Sequence, residues 1–93
     1  MSLVTERIED NVLYLELNGR IDSSNADQAE ELIKAIKEAH PDLQSVLDAE
    51  NLEYLSSAGL RVVLRMRKDA ADLKIINVST EVYEILDMTG FTD

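Results

Sequence analysis

Apolar and polar positions along the first part of the chain follow the two-residue period of β-strands. In the segment VLYLEL, residues 12–17, every second position is leucine. Residues 3–8 form a weaker strand candidate, and the polar residues 9–11 between the two segments are typical of a turn. We therefore expect an antiparallel hairpin. We interpret Asn18-Gly19 as a bend at its end, because only two residues follow before the next polar run.

The period changes to helical spacing in DSSNADQAEELIKAIKEAHP, residues 22–41. Ser24 and Asp27 have the spacing of a capping box at the start of a helix. The helix is expected to end at His40, because the residue before a proline resists helical geometry, and the exposed His40 side chain is expected to cap the last carbonyls. The predicted inner face, with Leu32 beside it, consists of Ala26, Ala29, Ile33 and Ile36.

Strands and helices continue to alternate in the middle of the chain. The short apolar run SVLDA, residues 45–49, predicts a buried strand, and LKIINV, residues 73–78, predicts another because it is rich in β-branched residues. Between them we expect a helix from about Ser57 to Ala71. Its predicted inner face consists of Leu60, Val63, Leu64 and Ala71.

The segment STEVYEILDMTGF, residues 79–91, predicts the last helix. Ser79 or Thr80 would cap its start, and Gly90 would end it, with Phe91 closing back over it. Its predicted inner face consists of Val82, Ile85 and Leu86. The resulting order, β-β-α-β-α-β-α, indicates an α/β fold with a largely parallel sheet and an antiparallel hairpin at its edge.

Composition limits the chemistry that this chain can perform. The chain has 93 residues, one domain's worth, with no cysteine and a net charge of −10. No run of apolar residues is longer than four, which excludes a membrane-spanning helix and the apolar core of a secretory signal. Such an acidic chain is a poor binder of nucleic acid. One histidine and three glycines provide neither zinc-ligand spacing nor a phosphate-cradling loop, so we expect no cofactor, no metal and no catalysis.

The stretch EYLSSAGLRVVLRMRK, residues 53–68, contains the candidate site. A serine there can serve simply as a helix cap. However, two serines are present where one suffices, a glycine follows in the first turn, and no acidic residue occupies that turn, so the positive helix end is open to an anion. Arg61, Arg65 and Lys68 share one face, which is either a solvated surface or a contact for an acidic partner.

Three segments resemble STAS domains, in particular bacterial anti-sigma factor antagonists. SVLDAENLEYLSSAGLRVVL is similar to the family signature, and LNGRIDSSNADQAEELI is similar to the strand end, acidic residue and first helix of the family. LKIINVSTEVYEILDMTGF resembles the last strand and helix. Together they cover most of the chain. The resemblance implies a STAS-type fold with a mixed sheet of four or five strands and three or four helices, in a single domain over residues 1–93. It leaves open whether a short native segment follows Asp93.

The resemblance implies that a partner anti-sigma factor, which is also a kinase, phosphorylates Ser57. Ser56 takes a position where some relatives carry aspartate, Ala58 replaces a second serine, and Asp22 matches an acidic residue near the phosphoacceptor. Gly59 would keep the backbone approachable. We add Ser23 and Arg61 to the predicted environment of this site.

The implied function is that of a cytoplasmic anti-sigma factor antagonist. Its unphosphorylated form would bind the anti-sigma factor and free the sigma factor. No contact with nucleic acid and no insertion into membranes is expected. Two alternatives stay open: a STAS module of another system, such as a lipid transporter subunit or a signalling assembly, and a small-ligand or nucleotide sensor. The sequence does not determine the oligomeric state.

Overall fold

The structure is a computed structural model, and it describes residues 2–70 and 72–87. Within these residues the chain forms six strands and three helices. In chain order they are β1 (Val4–Glu9), β2 (Val12–Leu17), β3 (Gly19–Ile21), α1 (Ala26–Ala39), β4 (Gln44–Asp48), β5 (Leu52–Leu55), α2 (Ser57–Asp69), β6 (Lys74–Ile76) and α3 (Thr80–Asp87). The predicted α/β organisation is confirmed.

Four strands form the main sheet, in the order β1-β2-β4-β6. β1 and β2 are antiparallel, whereas β4 runs parallel to both β2 and β6. The hairpin turn consists of Asp10 and Asn11, whose φ angles of 50° and 65° are both positive, as in the two-residue turns that match the twist of a hairpin. The predicted mixed sheet with an N-terminal antiparallel hairpin is therefore confirmed.

The second sheet, which has two strands, was not predicted. β3 and β5 run parallel, with Gly19 opposite Leu52 and Ile21 opposite Leu55, and the register shifts after Gly19. Gly19 has a φ of 74°, in the left-handed region that favours glycine. The chain thus bends at the predicted position. It then enters β3, instead of passing directly to the first helix.

One buried cluster connects the sheets and the helices. From β2 and the three helices it includes Leu13, Leu15, Leu17, Ala26, Ala29, Ile33, Val62, Val63, Met66, Val82 and Leu86. The prediction for α2 was partly wrong, because Leu64 is 36% exposed. The buried positions of α2 are 59, 62, 63 and 66. Glycine 59 belongs to this stripe, and the prediction did not count it as part of an apolar face.

The helix α1 ends at His40 as predicted, but the capping interactions at both of its ends differ from the prediction. The helix begins after Asn25, and Ser24 does not form the expected capping box; its backbone N–H and hydroxyl donate to Asp22 instead. At the other end, the His40 backbone N–H donates to the carbonyl oxygen of Lys37 at 3.1 Å. The His40 ring does not cap the helix, since its Nε2 lies 3.0 Å from Glu6 Oε2 in β1.

A polar network centred on Arg7 lies on one face of the main sheet. Arg7 Nη1 is 3.1 Å from Glu16 Oε2 and 3.4 Å from Asp48 Oδ2. The Arg7 guanidinium also covers the ring of Tyr14, at 4.4 Å from its centre. Asp48 is 2% exposed and accepts a further hydrogen bond of 3.1 Å from Asn77 Nδ2. These partners offset the cost of burying a carboxylate.

The start of α3 distinguishes between its two predicted caps. Ser79 Oγ accepts from the backbone N–H of Val82 at 3.2 Å, so Ser79 caps the helix. Val82 and Leu86 are buried and Ile85 is half-buried, as predicted. The expected helix end at Gly90 and Phe91, like the expected inward position of Ala71, lies outside the described residues.

Candidate functional site

The parallel pairing of β3 and β5 brings two candidate residues to the same edge. Ile21 lies opposite Leu55 at the ends of these strands, and the backbone N–H of Ser56 donates to the carbonyl oxygen of Ile21 at 2.9 Å. Asp22 directly follows Ile21, and Ser57 directly follows Ser56. The carboxyl ends of parallel strands point in one direction. The β3–α1 loop and the start of α2 are therefore neighbours.

The two serines occupy different positions at the start of α2. Ser56 is the N-cap, with extended backbone, and its Oγ accepts from the backbone N–H of Gly59 at 3.3 Å. Ser57 is the first helical residue and is exposed. Its hydroxyl makes no hydrogen bond within residues 2–70 and 72–87. Ser56 thus supplies the helix cap. Ser57 is exposed, and its hydroxyl takes no part in capping the helix.

Asp22 is held in its ionised form by the loop that surrounds it. Its Oδ1 accepts from the Ser24 hydroxyl at 2.5 Å and from the Ser24 backbone N–H at 2.9 Å. These two hydrogen bonds, with a smaller contribution from the charge of Arg20, lower the pKa of Asp22 although partial desolvation opposes them. Ser23 lies exposed between Asp22 and Ser24. The loop therefore carries a negative charge at the edge where α2 begins with Ser57.

Asn25 fixes this loop, although the sequence analysis did not single it out. Its Oδ1 accepts from the backbone N–H of Asp22 at 2.9 Å, and its Nδ2 donates to the carbonyl oxygen of Arg20, also at 2.9 Å. The side-chain amide of Asn25 thereby ties the loop between β3 and α1 to the backbone of Arg20 and Asp22. An asparagine just before a helix could have indicated such a role, because this side chain commonly bonds to nearby backbone groups.

Gly59 has an internal explanation. It is buried, and a Cβ at this position would lie 2.6 Å from Leu55 Cδ1, 2.9 Å from Ile21 Cγ2 and 3.0 Å from the carbonyl oxygen of Ile21. The absence of a side chain lets α2 approach β3 and β5 closely. The predicted role of Gly59 as clearance for a partner is therefore wrong. A side chain at this position would point into the core and not toward a partner. Ala58 is half-buried and also packs against the core.

Two arginines on the basic face of α2 differ in their partners: Arg65 pairs with a carboxylate of α1, and Arg61 does not pair with one among the described residues. Arg65 donates from Nε and Nη2 to the two carboxylate oxygens of Glu30 in α1, at 2.7 and 2.9 Å. Arg61, one turn earlier, is exposed, and no carboxylate of the described residues pairs with it. The first turn of α2 contains no acidic residue, so the cation nearest to Ser57 along the helix is the unpaired Arg61.

An open cavity of about 520 Å³ lies at the start of β3, away from the serines. Its lining includes Asn18, Gly19 and Asn51, together with the carboxylates of Glu50 and Glu53. None of Asp22, Ser56 or Ser57 contributes to it. Two carboxylates disfavour the phosphates of a nucleotide, so this cavity does not support the nucleotide-sensor alternative.

No helix within 2–70 or 72–87 has the length and apolar character needed to cross a bilayer. No group of three or more histidine, cysteine, aspartate or glutamate side chains in those ranges is arranged to hold a metal ion.

Comparison with known proteins identifies the family. The profile of the STAS domain matches residues 4–93. The chain belongs to the STAS domain family. It is 35% identical over 96 residues to BtrV of Bordetella bronchiseptica, a candidate anti-sigma factor antagonist, with 98% of this chain and 80% of BtrV covered.

Solved structures of anti-sigma factor antagonists have the same fold. A crystal structure of an anti-sigma factor antagonist from Mycobacterium paratuberculosis superposes with a TM-score of 0.80, at 21% identity, over 94% of this chain and 76% of that one. Unphosphorylated SpoIIAA gives a TM-score of 0.70, at 22% identity, over 95% and 81%. Phosphorylated Bacillus SpoIIAA gives 0.62, at 21% identity, over 96% and 85%. At these identities the likeness establishes the fold alone.

Proposed function

We propose that the unphosphorylated chain binds an anti-sigma factor that is also a serine kinase, and thereby frees a sigma factor. Phosphorylation of Ser57 then abolishes this binding. The observation that carries the proposal is the division between the serines: Ser56 forms the cap, and Ser57 leaves an exposed hydroxyl at the first position of α2. The chain acts in the cytoplasm as a kinase substrate, and the partner binds the ATP.

The position of Ser57 favours an effect on binding over an effect on folding. A phosphate adds about −1.5 to −2 charges. Negative charge is favourable at the N-terminal end of a helix, and no acidic residue in the first turn of α2 competes with it. The phosphorylated chain therefore keeps its fold. The consequence of the modification falls on whatever packs against Ser57.

The neighbouring Asp22 strengthens the expected effect of phosphorylation on partner binding. Asp22 is ionised and immobilised by Ser24, so a partner that covers the site already has one carboxylate to accommodate. A phosphate on Ser57 adds a second anionic group to the same interface. Leaving a buried interfacial charge without its partner costs about 2–5 kcal/mol. Because about 1.4 kcal/mol corresponds to a tenfold change in affinity, one phosphate is sufficient to abolish a complex of moderate affinity.

The exposed residues around the serines complete the proposed contact surface. Ser23 lies in the loop beside Asp22, and Arg61 lies one turn beyond Ser57 on α2. Arg61 is free to bind an acidic group of the partner, whereas Arg65 is committed to Glu30. Ser56 and Ala58 are half-buried next to this surface, where Ser56 caps α2 and Ala58 packs against the core. Gly59 acts only through the packing of α2.

Labelling with the cognate kinase tests this function. The purified chain is incubated with the kinase and ATP, and the phosphorylated peptide is mapped by mass spectrometry. We expect one phosphate, on Ser57, and none on a Ser57→Ala variant. The matched control is Ser56→Ala, which keeps the acceptor and should still be labelled. Label on another residue, or no label with an active kinase, would contradict the assignment.

A further inference from the structure

The outward face of the small sheet carries an arginine and a tyrosine that the proposed site does not use. Arg20 in β3 lies opposite Tyr54 in β5, and the guanidinium carbon of Arg20 is 4.5 Å from the centre of the Tyr54 ring. Tyr54 is 38% exposed, and Arg20 is exposed as well. The two side chains therefore present a stacked cationic and aromatic surface to solvent.

This surface is continuous with the edge that carries the serines. Arg20 precedes Asp22 by two residues, and Tyr54 precedes Ser57 by three, on strands that pair side by side. The charge of Arg20 also contributes to the lowered pKa of Asp22. A partner that covers Asp22 and Ser57 needs to extend only along the small sheet to reach both side chains.

The guanidinium N–H groups of Arg20 are available to a partner. No carboxylate of residues 2–70 or 72–87 lies within ion-pairing distance of it. Stacking on Tyr54 uses the flat face of the guanidinium and leaves its N–H edge free, and that edge matches a carboxylate in a two-bond geometry. The stacking also limits the conformations of the arginine side chain before any partner binds, which lowers the entropic cost of using it.

We propose that Arg20 and Tyr54 form a second docking contact of the anti-sigma factor, and that they receive a carboxylate-bearing segment of that partner. Charge complementarity supports this occupant, since the exposed guanidinium of Arg20 has no carboxylate partner within residues 2–70 and 72–87. Arginine and tyrosine are also the residue types enriched among energetically dominant interface positions. This inference rests on the proposed function, because it assigns a second contact to the same partner.

Binding of four variants to the purified cognate anti-sigma factor, measured by calorimetry, tests the proposal. Tyr54→Ala and Arg20→Ala should each weaken binding about tenfold or more. Tyr54→Phe, which keeps the ring under the guanidinium, should bind like the wild type. The matched control is Tyr83→Ala, since Tyr83 is 48% exposed but lies on α3. Thermal unfolding of each variant confirms that the fold is retained.

The outcomes separate this inference from the proposed function. If the wild type binds and is labelled on Ser57, but Tyr54→Ala and Arg20→Ala bind equally well, the second contact is wrong and the function stands. If the wild type neither binds nor is labelled, the proposed function fails and the inference fails with it. If Tyr54→Ala changes only the sedimentation of the chain by itself, the surface joins two copies of this chain and the proposal is overturned.

Discussion

The backbone N–H of Ser56 donates to the carbonyl oxygen of Ile21 at 2.9 Å. This bond extends the pairing of β3 and β5 by one residue and ends it where α2 begins. The charged loop at Asp22 and the exposed hydroxyl of Ser57 thereby become neighbours, although they are 35 residues apart in the chain (57 − 22). The candidate site is a consequence of this short parallel pairing.

Replacing each serine separately distinguishes the cap from the exposed hydroxyl. Ser56→Ala removes the acceptor for the Gly59 N–H and should lower the free energy of unfolding by about 1 kcal/mol. Ser57→Ala removes a hydroxyl without a hydrogen-bond partner among the described residues and should change it by less than about 0.5 kcal/mol. Urea denaturation measures both. Equal losses for the two variants would show that the cap is not assigned to Ser56 alone.

Gly59→Ala should destabilise the chain even though alanine is the better helix former. The propensity gain is about 1 kcal/mol. Against it, the new Cβ would lie 2.6 Å from Leu55 Cδ1 and 3.0 Å from the Ile21 carbonyl oxygen, and overpacking of this kind costs about 1–3 kcal/mol. We expect a net loss of stability in urea denaturation. The control is Ala58→Gly, which should lose stability through propensity alone. A Gly59→Ala variant more stable than the wild type would contradict the packing.

Removing Arg7 should destabilise the chain, because two carboxylates would lose their cationic partner. Arg7→Ala would leave Glu16 and the buried Asp48 without their cation. Breaking a buried pair costs about 3–5 kcal/mol, and we expect about 2 kcal/mol because the Arg7 side chain is 35% exposed. Chemical denaturation measures the loss. The combined variant Arg7→Ala with Asp48→Asn should lose less than the sum of the two single losses; strict additivity would disprove the coupling.

The ion pair between α1 and α2 should give stability that depends on pH. The hydrogen bond from Arg65 lowers the pKa of Glu30 below its ordinary value of 4.5. A carboxylate whose pKa is lowered by folding stabilises the fold above its unfolded pKa and loses that contribution as the pH falls through the folded value. Wild type should therefore exceed Glu30→Gln in stability by up to about 1 kcal/mol at neutral pH. The difference should shrink below pH 4.5.

The exposed neighbour Glu31 provides the control for that titration. Glu31→Gln leaves the pair of Arg65 with Glu30 in place, so in urea denaturation this variant should lose stability on acidification as the wild type does. A Glu30→Gln difference that grows on acidification would have the wrong sign and would contradict the ion pair as the cause.

Periodicity predicted the elements that repeat a pattern over several residues. The alternating leucines of β2 and the inner face of α1 were found because each buries one side against the same core. The small sheet was missed because β3 and β5 have three and four residues, too few to show a period. Their pairing also depends on contacts between distant parts of the chain.

The missed sheet limited what could be predicted of the site. The two serines were located from helix-capping chemistry, which is local. The stacking of Arg20 on Tyr54 and the inward position of Gly59 both depend on β3 lying beside β5. The ion pair of Arg65 with Glu30 joins residues 35 positions apart (65 − 30), so the face of α2 alone could not separate Arg65 from Arg61.

Affinity for the partner before and after modification of Ser57 tests the central claim most directly. The chain phosphorylated on Ser57 and the unmodified chain are each titrated into the purified anti-sigma factor in a calorimeter, and circular dichroism confirms that both are folded. The account predicts that the unmodified chain binds and that phosphorylation weakens binding by about 100-fold or more. Equal affinity of the two folded forms would contradict it.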